Sequence, residues 1–143
     1  MRVRAADGSG EATIGRPLNP SFRFDSFIEG RGNRLALAAC SHALDSEFDY
    51  SPIVLHGRAG YGKSHLLQAL AARRGGAVVY FTAEQLIESV ALVRDHIATT
   101  PHCEILAVDD LQVLIKKSQQ AEFLSLMSLL TSYGRRLIVS LDL

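Results

Sequence analysis

The sequence predicts an α/β fold of three layers: a parallel sheet covered by helices on both faces. Three observations lead there. Short apolar runs recur at residues 53–56, 77–81, 105–108 and 137–141. With so little polar alternation, they suit strands buried on both faces. Helical patterns separate these runs, so successive strands run parallel through right-handed crossovers. Finally, a glycine-rich turn, Gly57-x-x-x-x-Gly62-Lys63-Ser64, joins the first run to the helix after it.

In chain order, residues 1–16 mix Gly, Ala, Ser and charge without a period and read as a flexible leader. Residues 17–143 read as one core. Pro17 and Pro20 mark its entry. Phe22, Phe24 and Phe27 fall at second and then third positions, as in an extended segment laid on a core. Gly30 and Gly32 punctuate it, and Asn33 suits the cap of a helix over 34–44. Residues 45–52 form a polar connection. The helix after the glycine-rich turn puts Leu66, Leu67 and Leu70 on one face and stops at Gly75-Gly76.

Thr82, with Gln85 three residues on, caps the next helix. That helix is expected to run to about residue 98 with Leu86, Ile87, Val90 and Val93 inward, ending at Thr99-Thr100-Pro101. The last helix spans 120–133, with Phe123, Leu124, Met127 and Leu130 on one face and Gly134 as its stop.

A chain of 143 residues suits one domain with a real core. Hydrophobic residues make up 48%, yet no run reaches membrane-spanning length, so no membrane partner is expected. The first residues lack the apolar stretch of a signal peptide, which makes a cytoplasmic location the expectation. Cys40 and Cys103 are too few and too separate for a disulfide scaffold or a four-ligand zinc site, and read as free thiols. His96, His102 and Cys103 likewise lack a fourth metal partner. A net charge of zero argues against a strongly basic nucleic-acid surface. Arg73-Arg74, Lys116-Lys117 and Arg135-Arg136 read as solvated helix ends.

The glycine-rich turn fits the P-loop template at every fixed position. Its glycines let backbone N–H groups approach phosphate oxygens, and the following helix points its positive end at the same anion. Lys63 is expected to reach the β- and γ-phosphates and Ser64 to hold Mg²⁺ through its hydroxyl. A dinucleotide loop is disfavoured because His65 stands where a third glycine belongs. His65 is also close enough to tune the phosphate pocket.

Asp109-Asp110, after four apolar residues, gives the Walker B pattern. Asp109 is expected to hold the magnesium through water, opposite Ser64, and Asp110 to orient or deprotonate an attacking water. Asp142, just past the last strand, is a third candidate at the same sheet edge, where ligands of such folds bind. It is either a sensor of phosphate or water, or a simple strand-end acid.

Four segments carry a resemblance. Leu18-Asn19-Pro20-x-Phe22-x-Phe24-Asp25-x-Phe27-Ile28-x-Gly30-x-x-Asn33-Arg34 resembles the opening of the ATPase domain of the bacterial DnaA family. Gly57-x-x-Gly60-x-Gly62-Lys63-Ser64-His65-Leu66-Leu67 is similar to its Walker A segment, and Ile105-x-Ala107-Val108-Asp109-Asp110-Leu111-Gln112 to its Walker B segment. Ile138-Val139-Ser140-x-Asp142 resembles its sensor 1 strand.

The family includes shorter Hda-type regulators and has the P-loop NTPase fold of the AAA+ type. Its strands are ordered fifth, first, fourth, third, second. The resemblance implies an ATP/ADP-binding switch, with Mg²⁺, acting in initiation of chromosomal DNA replication or its control. By motif it makes Gly57, Gly60, Tyr61, Gly62, Lys63, Ser64 and His65 phosphate-loop residues. Asp109 and Asp110 become the magnesium and catalytic acids and Asp142 the sensor. The stretch from Phe27 to Asn33, Ile28 included, would border the adenine.

Partners implied are DnaA-type or other replication proteins, met through AAA+ interfaces. Only residues 83–103 stand where DnaA carries a helical insertion used on single-stranded DNA, so DNA binding is expected to be indirect or weak. The family's fifth strand, arginine finger and lid would fall beyond Leu143. The expectation is therefore the N-terminal part of such a core, with strand 53–56 an uncovered edge and little turnover. A non-hydrolysing adaptor and a helicase-loader-type ATPase remain alternative readings.

Overall fold

The structure is a computed structural model and describes residues 2–5, 12–43, 45 and 50–143. Two short strands, β1 (Arg2–Ala5) and β2 (Ala12–Gly15), lie within the stretch read as a leader. They pair antiparallel, with Arg2 opposite Gly15. The Arg16 N–H then donates to the Tyr80 carbonyl at 2.9 Å.

The apolar runs become the four strands of one parallel sheet: β3 (Ile53–Gly57), β4 (Val78–Thr82), β5 (Ile105–Asp109) and β6 (Arg136–Asp142). Their order is β3-β6-β5-β4, the expected first, fourth, third, second. Ile53 stands beside Ile138, and Ile105 beside both Val78 and Arg136. This register brings Gly57 level with Asp142, and Thr82 level with Asp109, at one edge of the sheet.

Successive side chains of a strand point to opposite faces. In β4 this sends Val78 and Tyr80 to one core and Val79 and Phe81 to the other. Helices α1 (Arg34–Ser41) and α2 (Lys63–Arg74) cover the first face, where Cys40, Leu66, Leu67 and Leu70 meet Leu55, Tyr80 and Ile138. The second face is covered by α3 (Ala83–Glu88), α4 (Val90–Thr99) and α5 (Lys117–Ser132), with Leu86, Val93, Phe123 and Leu126 packed on Phe81, Leu106 and Val139. Each fully buried leucine or phenylalanine contributes about 1.5–3 kcal/mol. Among the described residues β3 has no strand on its outer side, and Val54 there is half exposed.

Four local expectations are corrected. The single helix expected from 83 to 98 is two, broken at Ser89, whose φ of −125° and ψ of 23° leave the helical region. Thr82 still caps the first, its Oγ1 accepting from the Gln85 N–H at 3.4 Å. Helix α5 begins three residues before its expected start, and Leu124 is exposed while Leu126 is fully buried. Phe123, Leu126, Met127 and Leu130 are the set spaced to share one helix face. The phenylalanine segment is not extended throughout: Phe24–Ser26 forms a 3₁₀ turn. Asn33 sits at the cap position of α1 but does not cap it. Its Oδ1 accepts from the Gly30 N–H at 2.7 Å and its Nδ2 donates to the Ile28 carbonyl at 3.2 Å.

Among the described residues, no helix is long and apolar enough to cross a membrane.

Candidate functional site

The P-loop leaves the end of β3 and enters α2 at Lys63, with Gly62 as its cap. Gly60 and Gly62 adopt φ of +89° and +90°, a region side-chain-bearing residues resist. A Cβ placed on Gly57 or Gly60 would meet nothing within 4 Å, so that side of the loop is open. Gly62 is different. A Cβ there would come within 2.6 Å of Phe27 Cε2, so the lead-in ring fills the space against the loop.

Lys63 is nearly buried. Its Nζ donates to the carbonyls of Gly57 at 2.9 Å and Arg58 at 2.7 Å and pairs with Asp142 Oδ1 at 2.8 Å. Ser64, partly buried, follows it in the first turn of α2. The backbone N–H groups of that turn and the helix dipole favour an anion in front of the loop.

His65 fastens the lead-in to α2. Phe22 stacks on its ring at 4.8 Å, Phe27 meets it edge-on at 5.2 Å, and its Nε2 lies 2.6 Å from the Arg23 carbonyl. Phe24 lies under the Arg73 guanidinium at 4.8 Å. The three phenylalanines are thus packing residues. Ile28, by contrast, is 87% exposed.

Asp109, at the end of β5, is buried. A buried carboxylate needs hydrogen-bond donors. Tyr80 Oη supplies one at 2.7 Å, and Ser140 Oγ donates to its other oxygen. Burial, and then the Asp109 charge, push the Tyr80 hydroxyl well above the usual range, so it remains a donor. Gln68 Nε2 donates to the same Tyr80 oxygen at 3.3 Å, and Gln68 Oε1 accepts the Asn19 N–H at 2.7 Å.

Asp110 adopts the left-handed region, φ 59° and ψ 49°, uncommon for a residue with a side chain. Its N–H donates to Ser140 Oγ at 2.8 Å. Gln112 then joins two acids: its Nε2 donates to Asp110 Oδ1 at 3.3 Å and its Oε1 accepts the Asp142 N–H at 3.0 Å. Desolvation and then the Asp109 charge raise the Asp110 pKa, the Gln112 hydrogen bond opposes them, and the Asp142 and Lys63 charges add smaller effects of opposite sign.

The structure therefore brings Lys63 and Asp142 into contact and links Asp109, Asp110 and Asp142 through Ser140 and Gln112. Tyr80 had no place among the site residues of the sequence reading, and Ser140 and Gln112 stood there only as motif positions with no role assigned. Tyr80 and Ser140 did carry a signal, as hydroxyls inside apolar strands. Among the described residues, no group of three or more His, Cys, Asp or Glu side chains could hold a metal ion.

The bacterial DnaA ATPase domain family model matches residues 18–143. DnaA of Brucella suis is 36% identical over 146 residues, covering 92% of this chain, and that of Mesorhizobium japonicum 38% over 143 residues, covering 90%. The chain spans 29% of the length of either relative.

AMPPCP-bound DnaA from Aquifex aeolicus superposes with a TM-score of 0.71 at 32% identity, over 88% of this chain and 43% of that one. Domain III of Thermotoga maritima DnaA gives 0.72 at 28% identity, over 87% and 57%. The DnaC helicase loader, at 17% identity and a TM-score of 0.63, shares the fold. This chain belongs to the bacterial DnaA ATPase domain family.

Proposed function

We propose that this domain is a nucleotide switch serving initiation of chromosomal replication or its regulation, with Mg²⁺ beside the nucleotide. One observation carries the reading. In a DnaA-family chain, the P-loop lysine pairs with Asp142 at the end of β6, and Gln112 links Asp142 to Asp110 just past β5, all at the carboxyl edge of a parallel sheet. The DnaA relatives are replication initiators by name, which supports DnaA-type or other replication proteins as partners through AAA+ contacts.

The residues divide the work as follows. Gly60, Gly62 and the first turn of α2 present N–H groups to phosphate oxygens. Tyr61 and His65 flank that cradle, and Ile28 stands at the base end. Lys63 exchanges Asp142 and its two carbonyls for phosphate. The Ser64 hydroxyl and the Asp109 carboxylate are hard oxygen donors and fit Mg²⁺, which takes few protein ligands and completes its shell with phosphate and water. When bound, Mg²⁺ neutralises charge on the β- and γ-phosphate oxygens.

Tyr80 and Ser140 hold the Asp109 carboxylate in place, from where it would hold the ion through a water. Asp110, with its raised pKa, is suited to take a proton from an attacking water. Asp142 stands where a third phosphate alters the charge around Lys63.

Titration calorimetry with ATP and ADP, with and without Mg²⁺, tests the reading. Binding by the wild type and a loss of about a hundred-fold or more in Lys63→Ala are expected. Equal affinity in the variant would overturn the site. Co-sedimentation with a DnaA-type protein tests the switch: identical behaviour with ATP and ADP would make the domain an adaptor instead.

A further inference from the structure

We infer that Gln68 is a positioning residue for Asp109. Through Tyr80 it sets the carboxylate on the Mg²⁺ side of the nucleotide, and through Asn19 it ties that carboxylate to the lead-in. The inference rests on the nucleotide- and Mg²⁺-binding reading and deepens it.

Helix and sheet geometry place these groups together. Gln68 lies four residues after Ser64, one turn further along the same face of α2. In the β4–β5 register Tyr80 stands beside Ala107, and both belong to the core that α2 covers. Asp109 follows Ala107 by two residues, so it turns to the same side of the sheet.

The hydrogen bonds then run in one direction. The Asn19 N–H can only donate, and Gln68 Oε1 accepts it at 2.7 Å. The carbonyl end of the amide is thereby turned to the lead-in, and its Nε2 donates to Tyr80 Oη at 3.3 Å. Tyr80 gives its own single proton to Asp109 Oδ2, at 2.7 Å. With the amide reversed, a carbonyl would face Tyr80 and compete with Asp109 for that proton. The backbone N–H of an exposed lead-in residue thus sets which way the hydroxyl beside a buried acid points. Hydrogen bonds linked in this way polarise and strengthen one another.

Asn19 is itself held by its neighbours. Its Oδ1 accepts the Ser21 N–H at 2.9 Å and its carbonyl accepts the Phe22 N–H at 3.0 Å. The path from this turn to Asp109 uses no residue of the loop 57–64, so the ion side of the site can be perturbed apart from the phosphate side.

The test makes that separation. ADP is titrated by calorimetry in Mg²⁺ and in EDTA against the wild type, Gln68→Met, Tyr80→Phe and the double variant. Methionine keeps the length and helix preference of glutamine and has neither end of the amide. The wild type is expected to bind ADP more tightly in Mg²⁺ than in EDTA. Gln68→Met is expected to cut that gain about three- to ten-fold, the worth of one hydrogen bond, and to keep its EDTA affinity within about two-fold. The EDTA arm also shows that each variant is folded. In the Tyr80→Phe background Gln68→Met should cut nothing further, because the path is already broken at Tyr80. An undiminished gain in Gln68→Met, an equal loss in Mg²⁺ and in EDTA, or a full further cut in the double variant would overturn the inference alone. A wild type that binds ADP equally in Mg²⁺ and EDTA would overturn the Mg²⁺ reading with it, and one that binds no ADP the nucleotide-binding reading as well.

Discussion

Lys63 Nζ lies 2.8 Å from Asp142 Oδ1, and the same ammonium donates to the carbonyls of Gly57 and Arg58. The P-loop lysine is therefore fully engaged within the protein. A phosphate has to displace these contacts, and an ion pair this sheltered opposes it by about 1 kcal/mol. Asp142→Asn weakens the competitor and leaves the loop intact. The variant is predicted to bind ADP about five-fold more tightly by calorimetry. An unchanged or weaker affinity would show that Asp142 does not restrain the lysine.

Asp110 gives a pH-dependent prediction. Its folded pKa lies above the ordinary aspartate value, chiefly through desolvation and then the Asp109 charge. The folded state therefore binds this proton more tightly than the unfolded chain does. Stability from this group is present at low pH and is lost as pH rises from the unfolded value through the folded one. Asp110→Asn removes that loss, can keep the Gln112 contact, and tolerates the left-handed backbone. Its Tm is predicted to exceed that of the wild type at pH 7, with the difference vanishing below about pH 4, where the aspartate is also neutral. A lower Tm than wild type at pH 7 would contradict this.

Tyr80→Phe tests how Asp109 is held. The substitution keeps the ring in the core and deletes the hydroxyl that donates to the buried carboxylate at 2.7 Å. Removing a donor from a buried charged acceptor costs about 1.5–3 kcal/mol. Urea unfolding should show that loss with an unchanged denaturant slope. A change smaller than about 0.5 kcal/mol would mean that Ser140 alone satisfies Asp109.

The four sheet strands and the loop were legible because their signals are local. Apolar runs between breakers mark strands, and Gly57, Gly62, Lys63 and Ser64 are bound to one another by spacing. The helix break at Ser89 was not legible, since no Gly or Pro announces it. Leu124 and Leu126 could not be ranked because α5 is leucine-rich around much of its circumference. The acids were found, but not what holds them. Tyr80 is 29 positions from Asp109 and Ser140 is 31, distances at which only the sheet register brings side chains together. The β1–β2 pairing likewise depends on a partner strand rather than on its own pattern.

The Phe27 ring against Gly62 ties the two ends of the binding region together mechanically. The loop cannot move toward the lead-in without pushing that ring, and the ring cannot tilt without disturbing His65 and, through its stack, Phe22. Residues 22–27 are thereby coupled to the phosphate loop by direct contact: a displacement of this partly exposed segment would be passed to Gly62 through the Phe27 ring.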